Sequence, residues 1–161
     1  MSNPRVGIVM GSQSDWSTMQ HCRDTLTKFG IDADCRVLSA HRTPQEACDW
    51  VSSAPDRGLE VIIAAAGGAA HLAGVMAAHT VLPVLAVPIQ AWSLDGLDSL
   101  LAMVQMPKGI PVGTLAIGKA GAINAVILAV QILAVGDDEL TQKLKDDRQS
   151  QRETILAQTL E

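Results

Sequence analysis

The polar segment at residues 39–44 contains the side chain best suited to proton transfer. His41 changes its charge near neutral pH, so it can both donate and accept a proton. The adjacent Arg42 carries a planar guanidinium that suits a phosphate group. A single histidine is more often structural than catalytic, but this one stands beside an arginine in a predicted loop. The segment therefore favours a catalytic His41 next to an anion-binding Arg42.

A second polar segment, residues 11–15, has the composition of a phosphate-binding turn. Gly11 permits a sharp turn, and the hydroxyls of Ser12 and Ser14 stand beside backbone N–H groups at the start of a predicted helix. Asp15 would repel a phosphate, but it can accept hydrogen bonds from ribose hydroxyls. The alternative is that Ser14 and Asp15 only cap the helix. The segment is not a P-loop, because the Gly-Lys-Ser/Thr ending is missing.

Two further segments complete the candidate site. Residues 66–71 contain Gly67 and Gly68, which allow the backbone to approach a ligand closely. His71 ends this segment, either as a second polar contact or as a helix-start residue. The Pro- and Gly-rich residues 105–113 form a long loop that we expect to cover the site.

The elements that must position these segments alternate along the chain. Five short apolar runs predict strands, and most are apolar on both faces, which is typical of a parallel sheet covered by helices on both sides. The predicted strands are residues 6–10, 34–38, 61–65, 84–87 and 114–117. Helical spacing between them predicts a three-layer α/β/α domain. Because ligands bind beyond the carboxyl ends of such strands, we expect the candidate site there.

Local signals mark where several helices begin. Thr43 precedes Pro44 and Glu46, the pattern of a capped helix start. Asp95 is positioned to cap a helix that runs to residue 104, and Asp137 to cap a charged helix that continues to the C-terminus. We therefore predict a single domain over residues 1–161, with a core at about 5–135 and a C-terminal helical extension at about 138–161.

The composition limits the classes of partner that the chain is expected to bind. The chain has 161 residues and a formal net charge of −5, which argues against binding to nucleic acid or acidic membranes. The predicted helix at 120–135 is apolar nearly all round apart from Asn124 and Gln131, so it must be buried nearly all round. We expect a homo-oligomer rather than a membrane helix. The N-terminus lacks the layout of a signal peptide, which indicates a cytoplasmic protein.

Cysteine and metal-ligand patterns are uninformative for catalysis. Cys22, Cys35 and Cys48 are odd in number and widely spaced, so they are interpreted as reduced, packed thiols. His, Cys and carboxylate residues do not stand at metal-ligand spacing. We therefore expect neither a disulfide framework nor a metal site.

The order of the motifs resembles one enzyme family. Gly11-Ser12-Gln13-Ser14-Asp15-Trp16, the segments at 39–44 and 66–72, the loop at 105–114 and Gly118-Lys119-Ala120-Gly121 together resemble the class I N5-carboxyaminoimidazole ribonucleotide mutases of bacterial purine synthesis. The likeness runs from about residue 6 to residue 133. It implies a flavodoxin-like subunit in a homo-octamer, isomerisation of N5-carboxyaminoimidazole ribonucleotide to 4-carboxyaminoimidazole ribonucleotide, and no metal, ATP or biotin.

The resemblance also implies residue roles. His41 matches the general acid/base, and the matching substrate-binding positions are Ser12, Ser14, Asp15, Ser39, Arg42, Gly67, Gly68 and His71. The chain departs from the family at Ala65, where Gly is common, and at Ala73, where Pro is common. Two other functions stay open. One is the class II activity, carboxylation by free CO2, whose members typically carry Lys and Gly where this chain has Arg42 and Thr43. The other is a non-catalytic nucleotide-binding module.

Overall fold

A five-stranded parallel sheet forms the centre of the molecule. The computed structural model describes residues 4–160. The strands are β1 (Val6–Met10), β2 (Ala33–Val37), β3 (Val61–Gly67), β4 (Val84–Ile89) and β5 (Gly113–Thr114). Their order across the sheet is β2-β1-β3-β4-β5, and every neighbouring pair is parallel. This is the flavodoxin-like order, whose switch point lies between β1 and β3.

Helices cover both faces of the sheet, which confirms the predicted three-layer architecture. They are α1 (Trp16–Lys28), α2 (Pro44–Ser52), α3 (Leu72–Ala78), α4 (Leu97–Val104), α5 (Lys119–Leu133) and α6 (Asp138–Leu156). Successive strand residues face opposite layers: Ile8 packs with α1, α5 and the start of α6, whereas Val9 packs with α2, α3 and α4. Burial on both faces explains why the strands are continuous apolar runs.

Helix α5 is a core helix of unusually apolar composition. Its small side chains, among them Ala122, Ala125 and Ala129, are fully buried against α1 and the sheet. Ile123 and Ile127 lie on a face that is only partly buried. Within residues 4–160, Lys119–Gly136 is the one helical stretch whose length and composition would allow it to cross a membrane. Contacts with α1 and the sheet bury only part of this stretch, so the expected burial nearly all round is not reached within one chain.

The predicted bounds of the first four strands lie within two residues of the observed ones, whereas the sheet edge and the C-terminus differ more. β1 has its predicted bounds, but β5 is reduced to Gly113–Thr114 instead of residues 114–117. The final helix ends at Leu156, and residue 161, to which the predicted extension runs, lies outside the described residues. Asp137 caps this helix as predicted, because its Oδ1 accepts a hydrogen bond from the backbone N–H of Leu140 at 3.1 Å.

The predicted caps of two other helices are wrong. Helix α2 starts at Pro44, but Thr43 Oγ1 accepts a hydrogen bond from the Ser39 backbone N–H at 2.8 Å instead of capping the helix. Asp95 does not cap α4, because Asp95 has a φ of 51° and Gly96 a φ of 89°. These two left-handed residues turn the chain before the helix can begin, and α4 starts one residue after them.

The loop at residues 105–113 lies at the opposite edge of the sheet from the other candidate segments. It precedes β5, and Gly109, Ile110 and Pro111 share a cavity of about 670 Å³ with residues 80–85, around the start of β4. A segment that leads into a parallel strand lies at the amino edge, whereas ligands bind at the carboxyl edge. The prediction that this loop covers the site of its own chain is therefore wrong.

The three cysteines are free thiols, as predicted. Cys22 is buried in α1, and its Sγ–H donates to the backbone carbonyl of Ala122 in α5 at 3.1 Å. Burial raises the pKa of Cys22 to about 12. This thiol is therefore an unreactive packing group.

Candidate active site

The candidate site is a cavity of about 410 Å³ at the carboxyl edge of the sheet, across the switch point between β1 and β3. Segments that follow β1, β2, β3 and β4 surround it. The lining residues are Gly11, Ser12, Ser14, Asp15, Ser39, Ala40, His41, Arg42, Ala66, Gly67, Ala69, Leu72, Ala91 and Trp92.

The turn after β1 presents a cluster of hydroxyl groups. Ser12 Oγ accepts hydrogen bonds from the Ser14 backbone N–H at 3.3 Å and from Ser14 Oγ at 2.9 Å. The capping side chain is therefore Ser12, whereas neither Ser14 nor Asp15 caps α1. Ser14 Oγ also lies 3.3 Å from Asp15 Oδ1. Ser14 and Asp15 thus stay available at the cavity.

Asp15 is the one carboxylate that lines the cavity, and it is buried. Burial raises the pKa of Asp15, because the ionised form loses solvation. The hydrogen bonds from Ser14 and the Ser12 backbone, and the charge of Arg42, oppose this shift. A carboxylate held in this way is suited to accept hydrogen bonds from hydroxyl groups.

The turn after β2 orients His41 and Arg42. Ser39 Oγ accepts hydrogen bonds from the backbone N–H groups of His41 at 3.3 Å and Arg42 at 3.2 Å. Arg42 Nη2 donates to the Gly11 carbonyl at 3.0 Å, which ties this turn to the turn after β1. Both side chains are exposed. The guanidinium therefore keeps further N–H donors for an anion beside the serine cluster.

His41 and His71 form a hydrogen-bonded pair. His41 Nε2 lies 2.9 Å from His71 Nδ1, and the rings meet edge to face with centroids 4.9 Å apart and an interplanar angle of 84°. One nitrogen must donate and the other must accept, so the pair shares a single proton along this contact. Two imidazolium rings at this separation would repel each other. The arrangement suits a group that cycles between two protonation states.

The glycine segment after β3 is in close contact with the segment after β4. A Cβ at Gly67 would lie 2.8 Å from the Ala91 Cβ, and Gly68 has a φ of +65° with the Trp92 ring directly against it. Both positions therefore require glycine, for space at Gly67 and for space and conformation at Gly68. This packing brings Ala91 and Trp92 to the cavity wall.

Most of the sequence-predicted site residues meet at this cavity. Those that line it are Ser12, Ser14, Asp15, Ser39, His41, Arg42 and Gly67. Gly68 and His71 are outside the lining, but Gly68 contacts Trp92 and His71 bonds to His41. Ala91 and Trp92 also line the cavity, and neither was predicted to belong to the site. They lie two and three residues after the end of β4, so the strand-end rule that located the other segments also applies to them.

A metal site in the described part of the chain would need several side chains that could bind a metal ion together. Among residues 4–160, no three His, Cys, Asp or Glu side chains come together in a group that would hold a metal ion. His41 and His71 have each other as ring partners, and Asp15 is bonded to Ser14.

Comparison with known proteins identifies the family of this chain. Residues 5–154 match the family model described as AIR carboxylase. The chain belongs to the AIR carboxylase family. Within this family it is 59% identical over 153 residues to the N5-carboxyaminoimidazole ribonucleotide mutase of Vibrio parahaemolyticus, and the alignment covers 95% of each chain. It is 55% identical over 156 residues to the mutase of Escherichia coli K12, with 96% of this chain and 92% of that protein covered.

A solved structure of this family has the same fold. The Treponema denticola protein described as PurE superposes with a TM-score of 0.85 at 28% sequence identity, and the match covers 95% of this chain and 94% of that chain. The two departures from the family motif are both fully buried: Ala65 in β3 and Ala73 in the first turn of α3. Neither is among the residues that line the cavity of this AIR carboxylase family member.

Proposed function

We propose that this chain is a mutase that converts N5-carboxyaminoimidazole ribonucleotide to 4-carboxyaminoimidazole ribonucleotide in purine biosynthesis. Relatives that are 52–59% identical over nearly the full chain carry the mutase name. The observation that carries the proposal is the His41–His71 pair in one site with Arg42 and the serine cluster. A proton-transfer group thus stands beside groups that suit a nucleotide monophosphate.

The polar wall binds the ribose phosphate in this proposal. The phosphate is held by Arg42 and by the hydroxyls of Ser12, Ser14 and Ser39. These residues line the cavity where Arg42 bonds to the Gly11 carbonyl. Asp15 accepts hydrogen bonds from the ribose hydroxyls. A further set of residues faces the aminoimidazole base: Gly67, Gly68 and His71.

His41 then moves one proton twice. The bond between N5 and the carboxyl carbon breaks, which releases CO2, and the imidazolium of His41 gives its proton to the departing nitrogen. Carbon 4 of the aminoimidazole attacks the retained CO2 to form the new carbon–carbon bond. Neutral His41 removes the proton from carbon 4, which restores both the aromatic ring and the imidazolium. The cycle consumes no cofactor, because the carboxyl group and the proton both return.

The same proposal covers the organisation of the protein. Residues 1–161 form one catalytic domain, and the enzyme acts in the cytoplasm as a homo-octamer without nucleic-acid or membrane partners. Two surfaces support an oligomer: the partly buried face of α5 with Ile123 and Ile127, and Leu97 and Leu101 on α4, which are 53% and 50% exposed. Apolar surface of this extent is typical of subunit contacts.

A spectrophotometric assay tests the mutase activity. Purified protein is mixed with N5-carboxyaminoimidazole ribonucleotide, and absorbance follows the product against an enzyme-free sample. A parallel reaction contains aminoimidazole ribonucleotide and bicarbonate. The mutase accelerates the first reaction far more than the second. A faster second reaction supports the class II activity instead, and no acceleration of either reaction supports a non-catalytic binding module.

A further inference from the structure

Trp92 is the largest apolar side chain that lines the cavity, and it is 83% exposed. It follows β4 after Gln90 and Ala91, and it lines the same cavity as Ser12, Asp15 and His41. Aromatic side chains are usually the best buried, because their apolar area is large. A tryptophan ring left at the mouth of the cavity therefore needs an explanation from the site.

The backbone holds Trp92 in an unfavourable conformation. Its φ is 53°, in the left-handed region, where bulky side chains are rare. One edge of its indole ring lies so close to Gly68 that a Cβ there would come within 2.9 Å of the Trp92 Cε3 atom. Strain of this kind persists only where surrounding contacts impose it, and it concentrates at ligand sites. The Gly68 contact fixes the ring at the cavity mouth.

We propose that Trp92 is the solvent-side wall of the base pocket, where it contacts the aminoimidazole ring and retains CO2 between its release and its recapture. This inference rests on the proposed mutase function. CO2 is small and apolar, so the polar wall offers it little attraction. An aromatic ring over the base adds stacking contact and closes the path along which water enters and CO2 leaves.

The proposal predicts a change in how the intermediate partitions. After the N5–carboxyl bond breaks, CO2 either bonds to carbon 4 or escapes, which leaves aminoimidazole ribonucleotide as the product. Removal of the ring increases the second outcome without preventing the first bond from breaking. Base binding also weakens, by about tenfold, the cost of losing one stacked base.

The experiment uses substrate labelled with ¹⁴C in the carboxyl group, in buffer with unlabelled bicarbonate. Wild type is compared with Trp92→Ala, Trp92→Phe and, as a matched control, Leu94→Ala. Leu94 lies in the same segment and is 58% exposed but does not line the cavity. Chromatography gives the label in the 4-carboxy product and the yield of aminoimidazole ribonucleotide, corrected for an enzyme-free sample.

The expected result is that Trp92→Ala loses several-fold more label and releases several-fold more aminoimidazole ribonucleotide per product formed. Trp92→Phe and Leu94→Ala partition as wild type does. Tryptophan fluorescence supports the contact if aminoimidazole ribonucleotide quenches wild type more than Trp92→Phe, while ribose 5-phosphate has the same effect on both. Equal partitioning by Trp92→Ala and wild type overturns the proposal.

Two controls separate other causes. If wild type makes no 4-carboxy product, the proposed mutase function itself fails, whereas the inference alone fails if wild type is active and Trp92→Ala partitions normally. Size-exclusion chromatography measures the assembly of each variant. A loss of label that accompanies a smaller assembly, or that Leu94→Ala shares, assigns Trp92 to a subunit contact and overturns the proposal.

Discussion

The two edges of the sheet carry the same kinds of side chain in different environments. Each edge has an arginine, a histidine, an aspartate and a glycine that can be compared. The carboxyl edge has Arg42, His71, Asp15 and Gly121, and the amino edge has Arg5, His79, Asp137 and Gly136. At the amino edge, Arg5 contacts the carboxylates of both Glu60 and Asp137, and His79 Nδ1 lies 2.9 Å from the Val75 carbonyl of its own helix.

The two edges differ in which polar groups can still form hydrogen bonds with a ligand. Arg42 has a single carbonyl partner, and His71 bonds only to another titratable ring in the contacts described. The amino edge has the larger cavity, about 670 Å³ against about 410 Å³, but Val81, Leu82, Ile110 and other apolar groups dominate its lining. Chemistry therefore follows convergent polar groups rather than cavity size.

The largest expected effect is on the free energy of unfolding, from substitution of the two glycines. A Cβ at Gly121 would overlap the carbonyl oxygen of Ala116, whereas a Cβ at Gly136 would have open space. Gly121→Ala therefore lowers the free energy of unfolding by about 3 kcal/mol or more, because backbone must move. Gly136→Ala changes it by less than about 1 kcal/mol. Urea denaturation followed by circular dichroism measures both, and equal stability of the two variants contradicts the account.

The arginines compare substrate binding at the two edges. In the proposed function Arg42 binds the substrate phosphate, so Arg42→Ala is expected to raise KM by about 100-fold, the worth of charged hydrogen bonds. Arg42→Lys recovers part of this loss, because lysine keeps the charge but not the planar fork. Arg5→Ala leaves KM unchanged. Steady-state kinetics on N5-carboxyaminoimidazole ribonucleotide gives the values, and a normal KM for Arg42→Ala would remove Arg42 from the site.

Substitution of the two histidines compares His71, which positions His41, with His79, which packs against its own helix. His71→Ala lowers kcat about tenfold, the worth of one hydrogen bond, and raises KM by a smaller factor, because His71 also faces the base in the proposed function. Loss of the shared proton also changes the pH profile of kcat. His71→Asn restores part of the rate, because its amide can take the place of Nδ1. His79→Ala is the control and behaves as wild type, so a pH profile that is the same in all variants would contradict the pairing role.

The smallest expected effect is on stability, from substitution of the two aspartates. The contributions of Asp15 and Asp137 to stability depend on pH in opposite directions. Burial raises the pKa of Asp15, so its contribution to stability is present at acid pH and is lost as pH rises through that raised pKa. The Leu140 backbone N–H lowers the pKa of Asp137, so its contribution is present at neutral pH and is lost as pH falls. At pH 7, Asp15→Asn therefore stabilises the fold and Asp137→Asn destabilises it. Both differences shrink at pH 3, and denaturation at the two pH values tests this.

Local sequence signals predicted much of the molecule. The apolar runs located β1, β3 and β4 because these strands are buried on both faces, which leaves a continuous pattern. The strand-end rule then brought Ser12, His41 and Gly67 to one cavity without any knowledge of strand order. These features depend on short stretches of chain, so the sequence contains enough information to predict them.

Features that depend on contacts between distant segments were not predictable. The left-handed pair Asp95 and Gly96 delays α4, and the bond between His41 and His71 joins residues that are 30 positions apart. The misplacement of residues 105–113 came from composition, because Pro and Gly mark a loop but not its edge of the sheet. The strand-end rule applies to Trp92, but its contact with Gly68, 24 positions away, was not predictable.

In the proposed mechanism His41 transfers the proton while the carboxyl group changes position. The direct test is turnover of N5-carboxyaminoimidazole ribonucleotide by His41→Asn and wild type at equal enzyme concentration. We expect kcat of His41→Asn to fall by about 100- to 10,000-fold with nearly normal binding of aminoimidazole ribonucleotide, because only proton transfer is lost. An undiminished rate for His41→Asn would contradict it.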